Sequence, residues 1–361
     1  MKIIHIIGNF DIDSGGAQKI IARLCEKLPE ENFQQEIIYF FGQATLAKEL
    51  PKSVTIHHLS KFLKLQKLIR TLKPDIVHIH SPVAGLVARP IVWINSIPCI
   101  TTIHNTNYKL KNILVEVLTL PLSNVVVGVS NSVINDCQEL IFWRKTKIQF
   151  QTIYNGINVK QFEPSPNLDY LEVRNEIGLS KSDFLIGFVG RLTEQKGPDI
   201  AIKSMAQIKN NLANVKLVLV GRGKWLSYLN QLAQKHNILD KVIFLGGRND
   251  VERFYPIFDI CIFPSRWEGF GLAPVEAMAA ARPVIASDIP PFREVIAEGG
   301  EIAPCTVEAF ADKMVQLIQA PEKRQVLSKL AQQRASQFSV YQMAKAYSSL
   351  YESLFKQENS F

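Results

Sequence analysis

The sequence predicts an α/β protein built on two doubly wound parallel sheets, and three observations carry that expectation. Short runs rich in Ile and Val alternate with longer amphipathic stretches, the pattern of buried parallel strands joined by helices. The alternation occurs as two series, separated by a stretch of turn-forming residues. The length, 361 residues, exceeds what one hydrophobic core usually serves, and with 47% apolar and 20% charged residues the chain can bury two cores.

In the first series the strands are expected at 2–7, 35–40, 76–79, 97–102 and 125–129, and in the second at 184–189, 216–220, 242–245, 260–263 and 283–286. Between them NGINVKQFEPSPN concentrates Asn, Gly and Pro, which end regular structure, so a linker is expected near 155–168. The domains are accordingly placed at 1–165 and 166–340. Met343, Tyr347, Leu350 and Leu354 recur at helical spacing and mark a final amphipathic helix over 341–357.

Composition excludes several classes. The opening MKIIHIIGNF has neither a continuous apolar region nor a small-residue cleavage site, so it reads as a first strand, not a signal peptide. The most apolar stretch, 113–129, is interrupted by Glu116, Pro121, Ser123 and Asn124, and no spanning helix is expected. Five scattered cysteines without CxxC spacing suit reduced thiols in the cytoplasm. The net charge of +8 lies mostly in residues 1–165, which hold 18 Lys or Arg against 12 Asp or Glu. That excess suits an anionic membrane surface or acidic acceptors; without an aromatic-interleaved basic tract, nucleic acid is not an expected partner.

Neither series carries the GxGxxG dinucleotide fingerprint, which disfavours a nicotinamide dehydrogenase. After the first strand comes DSGGAQKII, and after strand 184–189 come Gly190, Arg191, Lys196 and Gly197. Glycine lets backbone approach a ligand, and a helix N-terminus offers N–H groups and partial positive charge. A tight strand-to-helix turn accounts equally well for Gly15 and Gly16. In PSRWEGFGLAPVEAMAAARPVIASD, Glu268 and Glu276 stand eight apart, with GFGL between Glu268 and a helix that Pro274 is expected to start. Phe270, Gly271 and Leu272 can offer backbone N–H groups to a diphosphate. Glu276 can accept from vicinal hydroxyls such as a ribose, and Glu268 can reach a sugar.

The Gly15-Gly16 turn, DIVHIHSP at 75–82, His104, NGIN with Phe162, VGRLTEQKG, the paired glutamates and RPVIASD stand in this order along the chain. Together they resemble glycosyltransferase family 4, of GT-B fold, over essentially the whole length. The resemblance implies two Rossmann-like domains facing across a cleft, the first on the acceptor side with the C-terminal helix packed back on it, the second binding the donor. It implies a retaining, metal-independent hexosyltransferase that uses a UDP- or GDP-sugar and a glycan or lipid-linked acceptor, in surface polysaccharide or glycolipid synthesis at or near the inner face of the membrane. No cofactor beyond the donor is expected.

By the same resemblance Arg191 and Lys196 hold the diphosphate, Glu268 contacts the donor sugar and Glu276 the ribose. His104 lies beside the transferred sugar, and Gly16 contributes a backbone amide. His104 and Glu268 are thus the catalytic candidates. The loop GGRNDVERF is placed over the base, with Arg248 stacking on it. Arg222 and Asn158 depart from the acidic residues usual in the family. A related epimerase or phosphorylase, or a nucleotide-sugar binding protein without catalysis, are the competing readings.

Three further features have plainer accounts. Asp11-Ile12-Asp13 spells a DxD metal motif but sits in a polar turn, and no metal site is expected there. His78 and His80 alternate along a strand, so only one is expected to face the cleft edge, with His78 expected to be structural. Lys61, Lys64, Lys67, Arg70 and Lys73 punctuate a helix whose Phe62, Leu65, Leu68, Ile69 and Leu72 are expected to pack inward. A solvated face explains those cations, with membrane attraction as the alternative, to which Phe142, Trp143, Arg144 and Lys145 add weight.

Overall fold

The computed structural model describes residues 1–11, 15–105, 107, 110–141, 147–166, 168–208 and 214–358. The chain forms two compact units, Met1–Gly156 with Val340–Phe361, and Ile157–Ser339. The division falls at the front of the expected linker and not at 165. Ile157 is fully buried and donates its N–H to Phe338 O at 2.9 Å, so the second unit begins inside NGIN, at Ile157.

The first unit holds a seven-stranded sheet of β1 (Lys2–Asn9), β2 (Gln34–Phe41), β3 (Thr55–His58), β4 (Ile76–Ile79), β5 (Cys99–Ile103), β6 (Val125–Gly128) and β7 (Gln149–Thr152), ordered β3-β2-β1-β4-β5-β6-β7. The second holds β8 (Phe184–Val189), β9 (Val215–Val220), β10 (Val242–Gly246), β11 (Ile260–Phe263), β12 (Val284–Ser287) and β13 (Glu301–Ala303), ordered β10-β9-β8-β11-β12-β13. All pairings are parallel, as two doubly wound sheets require. The strand order reverses between β1 and β4 and again between β8 and β11, and ligands of open α/β sheets bind where the carboxyl ends diverge at such a point.

Three strands, β3, β7 and β13, lack the apolar signature, and each lies at an edge of its sheet. Their sequences, TIHH, QFQT and EIA, are only partly buried, because an edge strand is covered on fewer sides and tolerates polar side chains. Interior strands such as β1, buried from Ile3 to Gly8, show the continuous Ile-rich run. The final helix, Val340–Glu358, packs on the first unit, where Tyr351 Oη meets His78 Nδ1 at 2.7 Å and Tyr347 Oη meets Thr102 Oγ1 at 2.9 Å.

Among the expected inward residues of the basic segment, Leu65 and Ile69 are buried, but Phe62 is 40% exposed and the neighbouring Leu63 is 96% exposed. The α-helix begins only at Leu65, after a 3-10 turn, so residues 62 and 63 do not share its inward stripe. Phe62 instead packs edge-on against Phe40, with ring centres 4.9 Å apart. Phe142–Lys145 lie outside the described residues. No helix among the described residues is long and apolar enough to cross a membrane, and the five cysteines are free.

The first unit also buries a charge that the sequence does not announce. Arg89, fully buried on the helix Pro82–Ile94, lies 2.8 Å from Glu116 Oε2 and donates to Thr101 Oγ1 at 3.2 Å and Thr119 Oγ1 at 2.7 Å. One turn earlier stands Gly85, whose Cβ, were there one, would lie 2.5 Å from Arg89 Cζ; the missing side chain makes the room. Burial pushes the Glu116 carboxyl upward against the pull of Arg89. Removing one partner leaves the other uncompensated, so Arg89→Met is expected to cost about 3–5 kcal/mol in chemical denaturation, and Arg89→Met with Glu116→Gln to recover most of it.

Candidate active site

The carboxyl ends of β8 and β11 build the densest polar cluster among the candidate residues. Past β8 a 3-10 turn, Glu194–Lys196, ends at Gly197 with φ +66, and a Cβ there would sit 2.0 Å from Pro264 O. Only glycine allows both the left-handed backbone and that approach. It brings the turn against the chain leaving β11, where Lys196 Nζ meets Glu268 Oε1 at 2.5 Å and Ser265 Oγ donates to the same oxygen at 3.0 Å. Both charges are largely sheltered, with 19% of the Lys196 side chain and 8% of Glu268 exposed.

A second layer braces this pair. Arg266 grips Asp199 through two bonds of 3.0 and 2.8 Å, and donates to Glu194 O at 2.7 Å. Asp199 holds the Arg266 guanidinium above its ordinary basicity. Gln195 Nε2 donates to Trp267 O at 3.1 Å, while Gln195 Oε1 accepts from Arg191 Nη2 at 2.9 Å. Arg191 therefore reaches the cluster through Gln195, and its own side chain is exposed. Asp199, Ser265, Gln195 and Arg266 were not foreseen, since a bracing residue shows its role only through its partners. The one sequence-level signal is Asp199 in the first turn of the helix Pro198–Ile208.

Past Glu268 the chain enters the helix Leu272–Ala279 through Gly271, with φ +93. The helix begins at Leu272 and not at Pro274, which places Glu276 in its second turn. Proline is tolerated at 274 because the first four N–H groups of a helix have no intrahelical acceptor. A Cβ at Gly271 would lie 2.4 Å from the Phe292 ring, and no side chain caps the helix. Phe270 is buried, its ring edge-on to Phe338, so its side chain belongs to the core. Glu276 accepts from Tyr255 Oη at 3.1 Å, and burial keeps that phenol protonated.

The ends of β9 and β10 lie alongside. Gly221 and Gly223 rest on the backbone of Gly190 and Leu192, and Gly221 N donates to Gly246 O at 2.7 Å. Arg222 lies over Gly247, to whose carbonyl Nη2 donates at 3.4 Å. Arg248 is gripped by Asp250 at two points of 2.9 Å each and by Glu176 at 3.1 Å, with its guanidinium 4.9 Å from the Phe254 ring centre. Asp250 and Glu176 also engage Arg253. These bonds fix Arg248 within its own network, and one of its faces is taken by Phe254.

In the first unit, Gly15 caps the helix Gly16–Lys27, so the Gly16 amide is the first of that helix. Asp11 accepts from Gln43 N at 3.0 Å and Thr45 N at 3.2 Å, bonds that hold its carboxyl below the usual range and make it a brace of the loop after β2. Asp13 lies outside the described residues. His104 follows β5 and meets His80 at 3.4 Å, and His80 meets His5 at 3.1 Å. His78 and His80 do not divide between faces: two residues apart on an extended chain, they share one, with ring centres 3.9 Å apart. His78 bonds to Tyr351 and Thr102, each at 2.7 Å, as a structural histidine does. Burial pushes His5 and His104 down to about 4 and takes His78 and His80 well below their ordinary value.

Comparison with known proteins follows the same division. Residues 169–334 match the family described as glycosyl transferases group 1, and residues 14–161 match Glycosyltransferase Family 4. The lipopolysaccharide core biosynthesis mannosyltransferase LpsB of Rhizobium meliloti (strain 1021) is 31% identical over 215 residues, which cover 56% of this chain and 61% of that protein. The chain thus spans less than two thirds of that relative. The UDP-Gal:alpha-D-GlcNAc-diphosphoundecaprenol alpha-1,3-galactosyltransferase of Escherichia coli is 28% identical over 298 residues, 76% of each chain. Among solved structures, Anabaena Alr3699/HepE, determined with UDP, with UDP and glucose, and with UDP-glucose, superposes with a TM-score of 0.86 at 22% identity, over 98% of this chain and 100% of that one. This likeness shows the fold, of the GT-B type.

The buried histidines tie stability to pH. Their folded pKa values lie below 6.5, so on acidification the unfolded chain takes up protons first and stability falls as pH drops from 6.5 towards 4. Each is expected to remove about 1 kcal/mol between about pH 7 and pH 5.5. Urea denaturation across that range should show the loss, and His78→Gln a shallower slope.

Proposed function

Since the chain belongs to glycosyltransferase family 4, we propose that it transfers a hexose from a nucleotide-diphosphate donor to a glycan or lipid-linked acceptor in surface polysaccharide or glycolipid synthesis. The observation that carries this reading is the sheltered Lys196–Glu268 pair at the point where the strand order of the second sheet reverses. An ammonium has three donors, and the contact with Glu268 uses one. The others suit a diphosphate, with Arg191 beside them. Glu268, oriented by Lys196 and Ser265, suits a sugar hydroxyl; Glu276, oriented by Tyr255, suits the ribose. The amides of residues 270–272, at a helix start without a side-chain cap, suit phosphate oxygens.

The reaction we assign breaks the bond between the anomeric carbon and the diphosphate oxygen and forms the new glycosidic bond on the same face. The departing diphosphate takes the acceptor's hydroxyl proton. Cations that balance charge on the leaving group act by electrostatic stabilisation and positioning, which makes a metal dispensable. The UDP complexes of Alr3699/HepE and the UDP-Gal named for the Escherichia coli relative favour a uridine donor.

Contact with an anionic membrane surface forms part of the proposal. Leu110, Leu114 and Leu118 make an outward stripe, 82%, 59% and 53% exposed, on the helix Leu110–Thr119, which packs along Pro82–Ile94. That second helix ends in exposed Trp93 and Ile94, and the next residue, Asn95, accepts from Arg70 of the basic helix Leu65–Leu72 at 3.3 Å. Apolar side chains beside cations are what a lipid interface takes up.

Two outcomes test these assignments. Lys196→Ala removes a charge-assisted contact of about 1.5–3 kcal/mol, so turnover with a UDP-sugar is expected to fall roughly ten- to a hundredfold, with the thermal midpoint lowered because Glu268 loses its partner but a cooperative unfolding transition kept; unchanged turnover sinks the assignment. Sedimentation with vesicles containing phosphatidylserine should bring down the chain, and Leu114→Glu with Trp93→Glu should release it. Equal pelleting of the two proteins would remove the membrane face.

A further inference from the structure

Two donors in the second unit fasten one oxygen of Glu268 and leave the other. Lys196 Nζ and Ser265 Oγ both bond to Oε1, at 2.5 and 3.0 Å, and only 8% of the Glu268 side chain is exposed. Neither bond is made to Oε2. Among the described residues Oε2 is not one of the buried polar atoms left without a partner, so it reaches solvent and is free to accept.

The charges of this cluster are unevenly answered. Arg266 is matched by Asp199 at 2.8 Å, and Asp199 also draws Lys203 at 3.6 Å. Arg191 is tied to the uncharged Gln195. Within the cluster, Lys196 and Arg191 are the cations left for a diphosphate, and Glu268 already offsets the charge of Lys196. An anion arriving at Lys196 therefore meets a neutral pair in place of a bare ammonium. Because the pair is sheltered, water and salt screen this effect less than they would at the surface.

We propose that Glu268 makes the site selective for the sugar-linked donor over the free nucleoside diphosphate that transfer leaves behind. The inference rests on the transferase reading for the place of the diphosphate. An intact donor brings a sugar hydroxyl, which donates to Glu268 Oε2 and offsets the share of Lys196 that the diphosphate takes. The free nucleoside diphosphate brings no such donor. Where the sugar stood it has a terminal phosphate oxygen, and the acceptor's proton taken up there passes to water above a second ionisation near pH 6, so at neutral pH it carries about one negative charge more. Like charges at that separation are unfavourable, and a sheltered carboxylate whose cation is drawn away is costly. Glu268 thus binds the sugar before transfer and favours departure of the nucleotide after it.

Isothermal titration calorimetry of the full chain with UDP and UDP-glucose, and with GDP and GDP-mannose, reads this selectivity without turnover. Glu268→Gln keeps the shape of the side chain and removes its charge. Its Kd for the free nucleoside diphosphate is expected to fall about fivefold or more, while Kd for the sugar-linked form holds or rises, because the hydroxyl loses a charged acceptor. Glu268→Ala, which opens Lys196 to water, should move the ratio in the same direction and carries the test if the first variant does not fold. A Kd for the free nucleoside diphosphate that is unchanged or higher in a folded variant overturns the proposal, as does an equal fall for both ligands. If the unaltered chain binds none of the four compounds, the transferase reading fails and this inference with it. If they bind, the ratio moves as stated and no hexose is transferred, the transfer step of that reading fails and the selectivity stands.

Discussion

The charge contact between Lys196 and Glu268 organises the second unit's site, because two opposite charges sheltered from water must either meet or be lost. Everything around it serves to make the meeting possible. Gly197 lets one turn press against Pro264, the Arg266–Asp199 fork locks that turn to the chain leaving β11, and Ser265 takes up a share of the carboxylate. A charge held in that way is oriented before any ligand arrives, which is what catalysis by positioning and electrostatics requires.

The first unit solves a different problem with the same physics. It carries four sheltered histidines and an arginine–glutamate pair inside a core of Ile and Val, and it ties His78 and Thr102 to the C-terminal helix by hydrogen bonds and Arg89 to Glu116 by a charge contact. Tyr347 and Tyr351 are as much a part of the sheet's polar interior as the strand residues they meet. Polar groups in such surroundings specify one arrangement, because each alternative leaves a donor or acceptor stranded.

How much of this was legible follows from where each signal lives. Interior strands of both sheets announced themselves through unbroken apolar runs, while β3, β7 and β13 did not, since edge positions relax the demand for apolar side chains. The cations and carboxylates of VGRLTEQKG and the glutamate segment stood out by residue type. Their braces did not: Asp199, Arg266 and Tyr255 are ordinary residues until the fold supplies partners. The start of the helix at Leu272 was missed because a left-handed Gly271 turns the chain earlier than Pro274 suggests.

By itself, then, the sequence determined two doubly wound sheets, the family, and a short catalogue of groups able to meet a nucleotide-linked sugar, because periodicity and residue chemistry are properties of the chain taken locally. Only the tertiary structure decided that Lys196 lies against Glu268, that Arg248 is bound into its own ion network, and that His80 meets both His5 and His104. Those facts join residues as many as 75 positions apart, as His5 is from His80. Hydrogen bonds and charge contacts act over a few ångströms in space, and distance along the chain carries no record of them.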